Sequence, residues 1–207
     1  MRRPTCARRA GFTLIELSIS VAILSLLIAN VGMVTRTGSR AARAGLFEQL
    51  IEDELEQGLN RARLALMSST ANNLYPTFTK PLSNDEITYS MSLGYENNAF
   101  VESDPERISW EAGPDGSGRM VWCQNPGEPN ERRVVWSNSV PILQEGEIDN
   151  EVDDNENGLD DETGIAIHVE SESDEEVQVF VHLTIEKIDQ DGNRVPASRT
   201  VNVTCRN

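Results

Sequence analysis

A run of 23 residues near the start of this 207-residue chain contains a single charged side chain. It extends from Phe12 to Val34, and its one charge is Glu16. An α-helix rises about 1.5 Å per residue, so the run would measure about 35 Å and could cross a hydrocarbon core of about 30 Å. We therefore predict a transmembrane helix over residues 12–34.

The glutamate in this run needs an explanation, because a carboxylate inside a bilayer segment is costly unless it has a partner. A charged amine on a neighbouring subunit would be such a partner, since pairing offsets the desolvation of both groups. Under this hypothesis Glu16 allows the membrane anchor to take part in the assembly of subunits. The simpler alternative is a single-pass anchor with a chance glutamate.

Four arginines, Arg2, Arg3, Arg8 and Arg9, precede the apolar run. Positive residues favour the cytoplasmic side, so the N-terminus is expected in the cytoplasm and the C-terminal domain outside it. An ordinary signal peptide is cleaved after its apolar run, next to small residues. Residues 29–32 match that pattern poorly, which leaves the Gly11–Phe12 junction before the run as the alternative.

The stretch Gly11-Phe12-Thr13-Leu14-Ile15-Glu16 resembles the class III signal of type IV pilins and type II secretion pseudopilins. The resemblance implies cleavage after Gly11 by a prepilin peptidase and methylation of the new amine of Phe12. It also implies that Glu16 pairs with the N-terminal amine of the next subunit in a fibre. The implied partners are the prepilin peptidase, other pilin or pseudopilin subunits and the bacterial inner membrane.

Residues 35–70 continue the helical pattern, with apolar positions three and four apart. These positions are Phe47, Leu50, Ile51, Leu55, Leu59, Ala62 and Leu66. Glycines 32, 38 and 45 allow local bends. Unlike many members of the family it resembles, the chain has no proline between residues 5 and 75. The predicted organisation is a leader over 1–11, the membrane helix, a helical stem over 35–70 and a β-rich head over 71–207.

In the head, apolar and polar residues alternate with a period of two, which is typical of half-buried strands. The predicted strands are Ile87–Leu93, Arg107–Ala112, Arg119–Gln124, Arg132–Ser137, Gly164–Glu170, Val177–Lys187 and Arg199–Cys205. Residues 114–118 and 189–193 have the composition of hairpin turns. A long N-terminal helix on a mostly antiparallel sheet is an α+β fold, which the resemblance also implies. The size and the final strand are similar to those of minor pilins and J-type minor pseudopilins.

An acidic loop covers residues 145–162, of which ten are carboxylates and none is basic. Its spacing resembles an EF-hand calcium loop, in which alternate oxygen ligands surround the ion and a glycine permits the sharp turn. The predicted calcium ligands are Asp153, Asn155, Asn157, Leu159 through its carbonyl, and Asp161, with Glu162 or Glu151 as substitutes. Position twelve is Gly164 rather than glutamate, and flanking helices are not evident. The alternative is a solvated acidic loop.

Two cysteines, Cys123 and Cys205, remain after the leader, which contains Cys6, is removed. Outside the cytoplasm an even pair can form one disulfide, and we predict this bond. The alternative is two buried free thiols.

No sequence pattern indicates catalysis, so we expect a protein that is not an enzyme. His168 and His182 lie on predicted strands, where a lone histidine is more often structural, and Trp110, Trp122 and Trp136 are expected to pack. The net charge of −16 argues against nucleic-acid binding. Two functions besides fibre assembly stay open: an adhesin-like binding head, and an anchored calcium-binding domain that does not polymerise.

Overall fold

The computed structural model describes residues 13–96, 99–114, 116–173 and 176–206. The chain divides into two compact units, Met1–Phe47 and Glu48–Asn207. The predicted leader, with Gly11 and Phe12, lies outside the described residues. The predicted head was placed over 71–207, whereas the second unit begins at Glu48 because helical residues from Ile51 onward are buried in it.

The first unit is helical from Leu14, where helix α1 (Leu14–Met67) begins. One 18-residue window of this helix has a mean hydropathy of 2.2, and none of that window is buried within the structure. Five hydroxyls donate to the carbonyl four residues earlier, which gives each polar group a partner inside the apolar helix. They belong to Ser18, Ser20, Ser25, Thr35 and Thr37. The segment is therefore consistent with a membrane anchor.

The second unit contains the C-terminal part of α1, which buries one face. Its buried apolar residues are Ile51, Leu55, Leu59, Ala62 and Leu66, at the three- and four-residue spacing of a single stripe. The sequence placed Leu50 on the same stripe, but that side chain is 60% exposed. The stripe is thus confirmed from Ile51 onward.

The first six described strands follow a short 3₁₀ turn, Ala71–Asn73. They are β1 (Glu86–Tyr89), β2 (Ser92–Glu96), β3 (Ala99–Glu102), β4 (Glu106–Ala112), β5 (Gly118–Gln124) and β6 (Arg132–Val140). β1, β4, β5 and β6 form an antiparallel sheet in the order β1-β4-β5-β6, and β2 and β3 form a separate hairpin.

A second antiparallel sheet has the order β7-β8-β9. Its strands are β7 (Ile165–Ser173), β8 (Glu176–Ile188) and β9 (Arg194–Arg206). The two sheets approach each other where Asn84, just before β1, forms a bridge with Ile167 of β7. Val181 and Leu183 of β8 are fully buried.

Helix α1 packs across both sheets at Gly58. A Cβ atom at this position would lie 2.9 Å from Leu183 Cδ2 and 3.5 Å from Met120 Sδ, so the missing side chain lets the helix approach closely. Beside it, Glu54 accepts a hydrogen bond from Ser137 Oγ at 2.6 Å and pairs with Lys187 Nζ at 2.5 Å. One helix residue therefore joins a strand of each sheet.

The α+β architecture is confirmed: a long N-terminal helix accompanies antiparallel sheets. Each predicted strand overlaps an observed one, and both predicted turns connect neighbouring strands. Two details were wrong. The first predicted strand is divided between β1 and β2, and β3 was not predicted. Among the described strands, β2 and β3 pair with each other in a separate hairpin, and β2 is exposed along its whole length, so its burial does not alternate.

Candidate functional site

The start of α1 is closed by Thr13 and Glu16. The backbone N–H and the hydroxyl of Thr13 each donate to Glu16 Oε2 at 2.9 Å, and Glu16 N–H donates to Thr13 Oγ1 at 3.4 Å. This reciprocal arrangement is a capping box, which supplies partners for N–H groups that the first helical turn leaves free. The Glu16 carboxylate is therefore turned back toward the N-terminal end of the helix.

The carboxylate contacts Thr13, the residue that directly follows Phe12. The pairing of Glu16 with an amine of a neighbouring subunit stays a prediction. The cleavage junction at Gly11 and Phe12 lies outside the described residues and stays a prediction.

In the head, the acidic loop of residues 145–162 is closed at its base. Leu143 bridges Thr163, and Gln144 N–H donates to the Glu162 carbonyl at 3.0 Å. Leu159 is fully buried and anchors the middle of the loop. Asp160 N–H donates to the Pro81 carbonyl at 3.1 Å, which ties the loop to the segment before β1. The loop is thus a fixed part of the head.

Three of the predicted ligands lie together in a tight turn. Asp153 accepts hydrogen bonds from the N–H groups of Asn157, at 3.1 Å, and Gly158, at 2.7 Å. Asn155 Oδ1 accepts from Asn157 N–H at 3.0 Å, and Asn157 Oδ1 from Leu159 N–H at 2.8 Å. Gly158 has φ +87°, the left-handed conformation for which glycine is suited.

The other two predicted carboxylates lie in different surroundings. Glu162 is 2% exposed, and its Oε1 accepts from the side-chain amides of Asn155, at 3.1 Å, and Asn157. The Asp161 carboxylate accepts from the N–H groups of Asn150, at 2.8 Å, and Glu151. Glu162 therefore lies against Asn155 and Asn157, whereas Asp161 binds the backbone at residues 150 and 151, in the earlier part of the loop.

Sequence reasoning missed Glu147. This residue is 8% exposed, and its Oε1 accepts from Asn155 N–H at 3.0 Å. Burial and the nearby charges of Glu162, Asp153 and Asp154 raise the pKa of its carboxyl group. Glu147 precedes the calcium-like spacing, so only the folded loop brings it to Asn155. Within the described ranges, no group of three or more His, Cys, Asp or Glu side chains forms a metal cluster, so a site here must also use amide oxygens.

Residues 6–29 match the family model described as the prokaryotic N-terminal methylation motif. The structure places Glu16, which lies within this match, at the first turn of a long apolar helix. The match supports the type IV pilin and pseudopilin family through the N-terminal motif. No curated protein and no solved structure matches the chain.

The head has a groove of about 530 Å³ beside the acidic loop. Its lining residues are Gln144, Glu145, Asn155, Asn157, His182, Ser198, Arg199 and Thr200. His182 Nδ1 and Thr200 Oγ1 are 2.8 Å apart, but His182 Nε2 has no hydrogen-bond partner. The histidine therefore lacks the orienting carboxylate that a nucleophile–histidine arrangement uses.

The two histidines pack between β7 and β8. His168 is fully buried and stacks on Phe180, with ring centroids 4.8 Å apart, and on His182, at 5.2 Å. Burial, His168 and Lys80 lower the pKa of His182 to about 4. Both rings therefore contribute neutral aromatic surface to the packing of β7 and β8.

The predicted disulfide between Cys123 and Cys205 is not formed, and both cysteines are buried free thiols. Cys123 lies on β5 and Cys205 on β9, in different sheets. Cys205 Sγ lies 3.3 Å from the Leu66 carbonyl and 3.4 Å from Ser69 Oγ, so its contacts are with the end of α1. An even number of cysteines does not establish that two of them lie at the separation and orientation that a disulfide requires.

Proposed function

We propose that this chain is a minor structural subunit of a prepilin-type fibre, either a type II secretion pseudopilus or a type IV pilus. The observation that carries the proposal is the methylation motif over residues 6–29, joined to a helix whose only early charge is Glu16. The minor role rests on chain length and on the similarity of the last strand to minor subunits.

Processing is the first step of the proposed function. Prepilin peptidase cuts after Gly11, on the cytoplasmic side of the inner membrane, and methylates the amine of Phe12. Removal of the leader takes away four arginines and places a cationic amine at the start of the mature chain. The apolar helix then holds the subunit in the membrane, with its head in the periplasm.

The second step is assembly of the subunits into a fibre, in which Glu16 supplies the carboxylate of an ion pair. Before assembly the carboxylate accepts two hydrogen bonds from Thr13, which lowers the cost of holding a charge in an apolar segment. In the fibre the carboxylate pairs with the Phe12 amine of the neighbouring subunit. A pair of this kind is more favourable than either charge alone, so it sets the axial register.

The proposed role is structural and not enzymatic. Charges and hydroxyls line the groove in the head, but the His182–Thr200 contact lacks an orienting acid. The groove does favour a second candidate function, an adhesin-like binding head. Gln144 and His182 each present a buried side-chain nitrogen without a hydrogen-bond partner, and both line the groove.

The test compares Glu16→Ala with Glu48→Ala in the strain that assembles the fibre. Both side chains are exposed in the isolated chain, but Glu48 lies outside the apolar run. Breaking a buried ion pair costs about 3–5 kcal/mol, so Glu16→Ala should insert normally and be depleted from purified fibres more than about tenfold. Equal recovery of both variants in fibres would contradict the proposal.

A deletion strain separates the alternatives. Loss of secretion or of fibre initiation supports the structural subunit, whereas normal fibres with lost attachment support the binding head. A chain that keeps its leader and stays in the membrane would support an anchored calcium-binding domain that never polymerises.

A further inference from the structure

The groove of the head is lined by two parts of the chain, residues 144–157 and the last two strands, β8 and β9. Its volume of about 530 Å³ lies within the range of about 300–1,000 Å³ that small-molecule sites occupy. The lining of such sites is usually apolar, whereas every lining side chain of this groove is polar. The groove therefore fits a small ligand that carries polar groups on several sides.

Two of the lining side chains bury a nitrogen atom that has no partner. Gln144 is 7% exposed and His182 is 8% exposed, and Nε2 of each residue has no hydrogen-bond partner. Burying a polar group without a hydrogen bond is costly. Half a turn about the last side-chain bond of Gln144 exchanges its oxygen and nitrogen, so the amide can present either atom. A ligand that contacts these two side chains would replace the missing hydrogen bonds.

Contacts across the groove fix its shape. Ser198 Oγ on β9 donates to Glu145 Oε2 at 3.1 Å and lies 2.8 Å from Thr184 Oγ1 on β8. The exposed Thr200 hydroxyl lies 2.8 Å from His182 Nδ1 and so fixes the orientation of the imidazole ring. The polar groups of the loop and of the strands are therefore in place before a ligand arrives.

The charges around the groove select a neutral ligand. Glu145 lines it, and the buried Glu162 carboxylate contacts Asn155 at 3.1 Å, so an anion would be repelled. Among the described lining residues, Arg199 carries the one positive charge, and Glu52 already pairs with it at 2.7 Å. A cation cannot accept a hydrogen bond, so it would leave the buried amide nitrogen without a partner.

The imidazole of His182 matches a hydroxyl better than a carbonyl. Burial, His168 and Lys80 lower the pKa of His182 to about 4, so near neutral pH one ring nitrogen donates and the other accepts. The Thr200 hydroxyl can donate to Nδ1 or accept from it, which allows either tautomer. A ligand hydroxyl both donates and accepts and therefore satisfies Nε2 in both tautomers, whereas a carbonyl satisfies one.

We propose that the groove binds a neutral saccharide, whose hydroxyls contact the side chains of Gln144, His182, Ser198 and Thr200. A sugar ring carries hydroxyls around its rim, so one ligand meets the loop and both strands. Peptides are selected by pockets for their side chains, which the polar residues lining this groove do not form. The proposal gives a ligand class to the second candidate function, the binding head, and does not depend on fibre assembly.

The experiment uses the full-length chain in a detergent without a sugar headgroup, since such a headgroup would compete for the groove. The chain is applied to a printed array of neutral and acidic oligosaccharides, and the neutral oligosaccharide that binds best is titrated by calorimetry. A Ser-Gly repeat peptide, which has hydroxyls and amides but no ring, is the control ligand.

Two pairs of matched variants are titrated in the same way. Gln144→Met is compared with Gln178→Met, and Thr200→Val with Thr204→Val. Gln178 and Thr204 lie on β8 and β9 and are not among the lining residues. Thermal unfolding of each variant reports whether the head stays folded.

We expect neutral oligosaccharides to bind at least about tenfold more tightly than acidic ones or the peptide. Gln144→Met and Thr200→Val should each weaken binding about tenfold, and their matched controls less than about twofold. Gln144→Met removes a buried group without a partner, so it should not lower the Tm.

Four results would overturn the proposal: no binding of neutral oligosaccharides, equal binding of acidic oligosaccharides or the peptide, equal effects within each pair of variants, or a lower Tm for Gln144→Met. None of them would bear on fibre assembly, which the Glu16→Ala comparison tests separately.

Discussion

Leu66 tests how the head depends on the C-terminal part of α1. Its side chain is fully buried, and its carbonyl accepts the thiol hydrogen of Cys205 at 3.3 Å. Two residues earlier on the same helix, Leu64 is 64% exposed. The two leucines therefore offer the same substitution on the buried and the exposed face.

Leu66→Ala should cost about 3 kcal/mol, since truncation of a fully buried leucine loses its transfer free energy and leaves a cavity. A factor of ten in an equilibrium corresponds to about 1.4 kcal/mol, so the open fraction of the head should rise roughly 100-fold. Leu64→Ala removes little buried surface and should change stability by less than about 0.5 kcal/mol.

The assay is the rate at which a thiol reagent labels Cys205 in the full-length chain. Burial raises the pKa of this thiol, and the closed head should label slowly. When opening is fast relative to labelling, the rate follows the open fraction. Peptide mapping separates Cys205 from Cys123.

Labelling should accelerate roughly 100-fold in Leu66→Ala and less than about threefold in Leu64→Ala. The reasoning fails if Leu66→Ala changes the rate by less than about fivefold, or if both variants behave alike. A linked peptide containing Cys123 and Cys205 in the unreduced chain would contradict the free thiols of the structure.

Two further predictions concern Glu106 and Glu54, whose carboxylates accept hydrogen bonds from side chains. Tyr89→Phe removes the 2.7 Å hydrogen bond to Glu106 and leaves the 2.9 Å bond from Trp122 Nε1; it should cost about 1–3 kcal/mol in denaturant unfolding, and a loss below about 0.5 kcal/mol would contradict it. The pKa of Glu54 is lowered from its ordinary 4.5, because hydrogen bonds and the charge of Lys187 outweigh the opposing effect of burial. Ionised Glu54 therefore stabilises the folded state fully above pH 4.5, and this stabilisation is lost as the pH falls below 4.5. Glu54→Gln should diminish this pH-dependent loss. The measurement is the free energy of unfolding as a function of pH.

Local patterns were sufficient for much of the fold. The apolar run predicted the start of α1, and alternation predicted the main strands. The capping box is readable as Thr13 followed three residues later by Glu16, although the prediction for Glu16 used only its charge. Such features depend on residues close together in the chain.

Non-local features could not be read in this way. The predicted polar face of β8 is also covered, since His182 is 8% exposed and Thr184 is fully buried. Glu147 reaches Asn155 only because the loop folds back on itself, and the same fold engages Asp161 elsewhere. Each outcome depends on what packs over a residue, which spacing alone does not encode.

The mass of the mature N-terminus tests the central claim most directly. The full-length chain is expressed in membranes that contain prepilin peptidase, and its N-terminal peptide is analysed by mass spectrometry. The account predicts a chain that begins at Phe12 with a methylated amine. A chain that keeps residues 1–11, or one cut after the apolar run near residues 29–32, would contradict it.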